Sequence, residues 1–213
     1  MPSRRRLLLA GLGLAGLARA RTLAAAERLL TPRQPTGPFY PLELPLDSDN
    51  DLVRVAGRGR PARGIVTHVF GRVVSPDGRP LRGARVEIWQ CDADGRYHHP
   101  NDRGGGADPD FQGFGAMETG AEAAFRFRTI RPVSYPGRTP HIHFLVRAPG
   151  MEPLATQMYV AGEPQNARDG LLNRIRDPQA RASVIVDLKP APELEPEALA
   201  GTFDIVIDHP DAA

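Results

Sequence analysis

The sequence has 213 residues, 27 Lys and Arg against 25 Asp and Glu, and one cysteine. Arg4, Arg5, Arg6 and Arg19 sit in the first twenty positions, so a net charge of +2 for the whole becomes about −2 for the remainder. No run of Lys and Arg is left to track a phosphate backbone, which argues against a nucleic-acid partner. A single thiol excludes an internal disulfide, so stability has to come from packing or from a bound metal.

The chain starts MPSRRRLLLAGLGLAGLARA. A basic stretch, a short apolar run and the small residues Ala18 and Ala20 make an export signal over residues 1–20. The apolar run falls short of the ~20 residues that span a bilayer, so no stable membrane span is expected. The order Ser3-Arg4-Arg5-Arg6-Leu7-Leu8 fits the twin-arginine pattern. That route carries folded proteins, often with a cofactor already inserted, and it points to the periplasm. Residues 21–63 are rich in proline and irregular, and read as an extended arm. Residues 64–213 read as one β-sandwich domain.

In that domain, apolar and β-branched runs at 65–74, 84–91, 123–130, 141–147, 155–160, 182–188 and 202–207 predict strands, with SPDGRP and DADG as turns. The fold class is all-β, a single sandwich of about seven or more strands with an extended N-terminal arm and long functional loops. Residues 166–176 are expected to form one short helix. The segment 100–120, with three consecutive glycines, reads as a loop long enough to carry function.

The stretch YPGRTPHIHF, residues 135–144, gathers one of four tyrosines and two of six histidines. On a strand, His141 and His143 face the same way and Ile142 the other. Alone, that pair is either a metal chelate or two ordinary strand histidines. Tyr135 can fold back toward the histidine face across its Pro-Gly turn, and Tyr97 follows the DADG turn. Two phenolates favour a hard, highly charged ion and imidazole accepts most first-row metals. Zinc more often takes Cys, His and carboxylates. The mixed set favours Fe(III).

Other candidates have plainer readings. Cys91 ends a strand-like run and reads as a small buried residue. His98 and His99 are adjacent, so at most one can face a metal. Asp92-Ala93-Asp94-Gly95 reads as a turn, since the later ligands of a calcium loop are missing. Tyr40, Tyr159 and Trp89 read as packing residues, with Tyr40 able to reach the mouth of a site. His68 and His209 carry no signal.

The stretches GRVVSPDGRPLRGARVEIWQCDADGRY, FRFRTIRPVSYPGRTPHIHF and TQMYVAGEP, with TGPFYP in the arm, occur in order. Together they closely resemble the intradiol ring-cleavage dioxygenases, in particular the catalytic-subunit type of the protocatechuate-cleaving branch. The likeness covers roughly residues 35–208. It implies a non-haem Fe(III) held by Tyr97, Tyr135, His141 and His143. It further implies Arg138, three positions before the first histidine, and Gln157, in TQMY, beside the substrate. The implied reaction cleaves the bond between the two hydroxylated carbons of a catechol with O2, giving a cis,cis-muconate-type diacid, with Tyr135 leaving the metal to accept a substrate proton. A fixed cation at Arg138 suits charge that develops on the ring, although a surface arginine in a turn is the plainer reading. Members assemble with copies of themselves or with a related subunit. Only Pro136 and Gly137 separate Tyr135 from Arg138, where many members carry a longer insert, so a more open pocket is expected. Two other readings stand beside this one: a prealbumin-like binding module, to which GRVVSPDGRPLRGARVEI is also similar, and a zinc hydrolase built on the histidine pair.

Overall fold

The computed structural model describes residues 28–208. The expected export signal over residues 1–20 and His209 lie outside them. Two sheets face each other across one apolar interior. The first centres on β1 (Val66–Val74). It pairs antiparallel with β4 (Ala124–Ile130) and parallel with β9 (Leu199–Thr202) and β10 (Ile205–Val206). The two-residue β8 (Lys189–Pro190) borders β9. The second sheet runs in the order β3 (Phe114–Glu118), β2 (Arg85–Trp89), β5 (His141–Arg147), β6 (Leu154–Val160) and β7 (Ile185–Val186).

The period-two alternation decides which side chains enter the core. From β4, Phe125 and Phe127 point in while Arg126 points to solvent and Arg128 is half-buried. From β5, Ile142, Phe144 and Val146 join them, along with Val86 and Ile88 of β2 and Met158 of β6. The opposite face of the second sheet is buried as well. There Trp89, Cys91, Tyr97, Phe114 and Leu145 form a second cluster, with Phe39, Tyr40 and Tyr135 packed on it. A sheet covered on both faces explains why every residue of β5 except Arg147 is buried.

The cover on that second face is the arm. Gln34 N–H donates to Ala155 O, Thr156 Oγ1 donates to Pro32 O at 2.8 Å, and Tyr40 Oη donates to Glu87 Oε2 at 2.9 Å. Farther along, Leu52 and Val53 are fully buried in the main core, so this stretch is more than a surface strap.

Three local expectations need correction. Residues 114–118, expected within a loop, form β3 and pair with β2, where the run Phe-Gly-Ala-Met lacks the β-branched residues that announce a strand. The expected helix at 166–176 is two 3-10 turns, Pro164–Arg168 and Leu172–Arg174. The α-helix, α1 (Pro178–Ser183), lies just beyond, in part of the expected strand 182–188, which shrinks to β7. Asp177 caps α1 by accepting from Gln179 N and Ala180 N, and Pro178 is at its first position.

Candidate active site

The site lies on the outer face of the second sheet, and strand register assembles most of it. His143 of β5 is directly opposite Trp89 of β2 and Gln157 of β6, while His141 is opposite Tyr159. Same-face neighbours across paired strands touch, so these five side chains form one continuous floor. His141 and His143 are each 1% exposed. Their Nε2 atoms lie 3.2 Å apart. Trp89 stacks flat on His143, with centroids 4.7 Å apart and planes at 8°.

Tyr135 reaches this floor through a tight turn. Arg138 N–H donates to Tyr135 O at 2.9 Å, and Gly137 takes φ +82°. Proline at the second position and a left-handed glycine at the third are what a type II turn requires. The turn brings Tyr135 Oη to 3.5 Å from His141 Nε2. Tyr97 arrives from the other side after the Asp92–Gly95 turn, which is an Asx-type turn: Asp92 Oδ1 accepts from Asp94 N and Arg96 N. The Tyr97 and Tyr135 rings meet edge to face at 5.6 Å. The structure therefore brings Tyr97, Tyr135, His141 and His143 together.

The polar atoms of this cluster are poorly satisfied. His141 Nδ1 lies 2.7 Å from Thr139 O, so Nδ1 carries the proton and the Nε2 lone pair turns to the cluster. Tyr97 Oη and His143 Nδ1 are buried without a hydrogen-bond partner. Leaving a buried polar group unpaired costs about 1–3 kcal/mol. Burial, helped by the Arg138 charge, pushes His141 down to about 4, and burial also holds His143 well below the usual imidazole range. Burial raises both phenols, Tyr97 the more. Neutral imidazoles are ready ligands, whereas these phenols ionise only if a positive charge arrives. No group of three among His, Cys, Asp and Glu converges among the described residues. The donor set fits a hard cation that also accepts nitrogen, and an N2O2 set of this kind gives no support to the zinc reading.

Arg138 lies beside the cluster in a fixed pose. Its Nε donates to Asp169 Oδ2 at 2.8 Å, and its Nη2 donates to Gln157 Oε1 at 2.5 Å and Tyr159 Oη at 3.5 Å. Burial works against the Arg138 charge, and the Asp169 contact offsets it, so its pKa stays above the ordinary value. Asp169 is fully buried. Burial would raise its carboxyl, but the backbone N–H of Leu172, the Arg138 guanidinium and the N–H of Thr139 hold it below the usual range. A cavity of about 470 Å³ opens here, lined by Tyr135, Arg138, Asp169 and Arg168 among others.

The arm closes the other side. Phe39 stacks on Tyr97, with centroids 4.4 Å apart and planes at 17°. Gly37, at φ +76°, lies so close that a Cβ would sit 3.4 Å from His143 Cε1. Gln157 Nε2 donates to Pro35 O.

Asp169, Tyr159 and Phe39 were not singled out as site residues from the sequence. Tyr159 carried a usable signal, being two residues from Gln157 on one strand face. Asp169 carried none, because it comes from a 3-10 turn without periodicity. Tyr40 does not reach the mouth; it packs edge-on to Trp89 at 5.1 Å. His98 Nε2 contacts Asp108 O, and His99 packs against Phe39, so neither joins the four-residue cluster. Cys91 is buried and unpaired, with its thiol pushed up to about 12 by burial, consistent with packing.

Residues 36–209 match the family described as Dioxygenase. The protocatechuate 3,4-dioxygenase beta chain of Burkholderia cepacia is 36% identical over 195 residues, 87% of this chain and 81% of that one. A 6-chlorohydroxyquinol 1,2-dioxygenase of Cupriavidus pinatubonensis is 35% identical over 145 residues, 60% of this chain and 49% of that one, so this chain spans about half the length of that relative. Among solved structures, the dioxygenase domain of a dioxygenase and carbohydrate-binding fusion from Streptomyces sp. SirexAA-E is similar with a TM-score of 0.65 and 35% identity, covering 84% of this chain and 98% of that one. Nothing in these relatives supports the binding-module or hydrolase readings. With its sandwich, its outer-face cluster and these relatives, the chain belongs to the intradiol ring-cleavage dioxygenases and is an enzyme of that family.

Proposed function

We propose that the chain uses a non-haem Fe(III), held by Tyr97, Tyr135, His141 and His143, to cleave a catechol between its two hydroxylated carbons with O2, giving a cis,cis-muconate-type diacid. The observation that carries this reading is the convergence of His141 Nε2, His143 Nε2 and Tyr135 Oη within 3.5 Å contacts, beside a buried and unpartnered Tyr97 Oη. When bound, ferric iron supplies Lewis acidity toward the diol oxygens and accepts electron density from the ring.

The chain's own residues account for the other requirements. Tyr97 is 5% exposed and pinned beneath Phe39, which favours a ligand that stays in place. Tyr135 lies on a turn at the cavity edge and is half-buried, which suits a phenolate that leaves and accepts a proton from the diol at its Oη. Thr139 O holds the His141 tautomer, a contact that keeps a ligating imidazole in orientation. Arg138, fixed by Asp169 and Gln157, offers a preorganised positive charge to the ring as negative charge builds on it. The arm at Gly37 and Phe39 shields the histidines from water. The twin-arginine-like start supports export to the periplasm as a folded, metal-loaded protein. Among the described residues no helix is long and apolar enough to cross a membrane.

The test is product analysis with iron-loaded protein, catechol and 18O-labelled O2. A muconate-type diacid carrying both labelled atoms is expected. A semialdehyde, or no consumption of any diphenol, would overturn the reading.

A further inference from the structure

We infer that the cavity beside Tyr135 and Arg138 selects catechols whose ring carries an extended substituent ending in a carboxylate, and that Arg168 is the residue that recognises this anion. The inference rests on the proposed ring-cleavage reading and deepens it.

Size is the first observation. The cavity holds about 470 Å³, within the range of roughly 300–1,000 Å³ typical of pockets for drug-sized ligands and more than a bare dihydroxybenzene fills. The two-residue link Pro136-Gly137 lines it, and both residues are exposed. A ring placed against Tyr135 and Arg138 therefore has room to extend a side chain toward solvent.

Charge is the second. The ionisable groups lining this cavity besides Tyr135 are Arg138, Asp169 and Arg168. Asp169 is already committed: its Oδ2 accepts from Arg138 Nε and Thr139 N, and its Oδ1 from Leu171 N and Leu172 N. Arg138 is committed in turn to Asp169 and Gln157. Arg168 differs. It ends the first 3-10 turn, is exposed, and its side chain has no hydrogen-bond or ion-pair partner among the described residues. Arg138 is held against Asp169, whereas Arg168 is an exposed cation of the same lining with no side-chain partner among the described residues. Gln165, one turn earlier in the same 3-10 segment, adds an amide to the same rim. A guanidinium with no internal partner matches a carboxylate in geometry as well as charge.

The test compares 3-(3,4-dihydroxyphenyl)propanoate with its methyl ester, which keeps the diol and chain but loses the charge. An exposed pair of this kind is modest in strength, so the expected preference of the wild type for the acid in kcat/KM is about two- to fivefold at low salt. Arg168→Gln should bring the acid-to-ester ratio to near one, mainly through a higher KM for the acid. Arg168→Lys should retain part of the preference, and salt should erode it in the wild type. Equal use of acid and ester by the wild type, or an unchanged ratio in Arg168→Gln, would overturn the inference while leaving ring cleavage intact. If no diphenol is consumed, the ring-cleavage reading fails instead. Equilibrium dialysis of the acid and the ester against wild type and Arg168→Gln then decides the charge preference on its own: tighter binding of the acid that depends on Arg168 supports it, and equal binding refutes it.

Discussion

The outer faces of the two sheets each bury a histidine to 1% exposure, and they treat it in opposite ways. On the first sheet, both ring nitrogens of His68 have partners: Nε2 lies 2.9 Å from Glu195 Oε1, and Nδ1 lies 3.3 Å from Arg126 Nη2. Glu195 also accepts from Arg128 Nε and Nη2, and Arg128 reaches Asp51. On the second sheet, His143 has a stacked indole, an imidazole at 3.2 Å and an Nδ1 with no partner. Burial of a polar residue therefore does not mark function. What distinguishes the second face is the convergence of two imidazole Nε2 atoms and two phenols, of which Tyr97 Oη is buried without a hydrogen-bond partner. The first face is a closed network of ion pairs, and the second gathers nitrogen and oxygen donors that the proposed function would use.

The strongest way to break this comparison is to remove a donor from each face. On the second sheet, His143→Ala or Tyr97→Phe should abolish bound iron and ring cleavage while leaving the protein folded by circular dichroism. On the first sheet, His68→Gln should retain iron and activity. If His68→Gln also loses iron, the contrast between the faces fails.

Arg138→Gln comes next. Loss of a preorganised charge that meets the reacting ring should lower kcat by about 10²–10³-fold, with a smaller change in KM. Asp169→Asn should show the same direction at smaller size. It also strands Arg138 in a buried position, so a stability loss of about 3 kcal/mol is expected by denaturant titration. An Asp169→Asn protein with unchanged kcat and stability would remove Asp169 from the account.

The core beneath both faces gives a reference. Ile142 points away from the site and is fully buried. Ile142→Ala should cost about 2–5 kcal/mol of stability, with kcat falling far less than in Arg138→Gln.

The smallest effect concerns pH. Contact with the Arg128 guanidinium is the main reason that Glu195 titrates at about 2 in the folded protein, below its ordinary 4.5. A depressed carboxylate contributes stability above the unfolded value and loses it as pH falls through the folded one. Glu195→Gln should therefore cost about 1 kcal/mol near pH 7, the pair being partly exposed. That difference should shrink as pH falls from 4.5 toward 2, with no change in iron binding. An equal penalty at pH 7 and pH 2 would show that packing rather than charge is at work.

Much of this was legible in the chain, for reasons that differ by residue. The H-x-H spacing on a strand placed both imidazoles on one face, and Ile142 in the core confirms the alternation. The Tyr-Pro-Gly-Arg turn was readable because proline fixes φ at the second position and glycine accepts the positive φ that the third requires. Asp169 was hidden, since a buried acid in a 3-10 turn has no periodic signature and its purpose appears only beside Arg138. The strand at 114–118 was hidden because pairing with β2, rather than local propensity, makes it a strand. The arm motif TGPFYP was visible as a likeness, but the stacking of Phe39 on Tyr97 depends on contacts far apart in sequence.

The most direct test of the central claim is the visible spectrum of the purified, iron-loaded protein, recorded without O2 before and after addition of a catechol. Tyrosinate bound to Fe(III) gives an allowed charge-transfer band, so the account predicts a red-brown protein whose band moves to longer wavelength when a true substrate chelates. A protein that holds iron and stays colourless would mean that Tyr97 and Tyr135 do not bind the metal, and the proposed ligand set and mechanism would fall together.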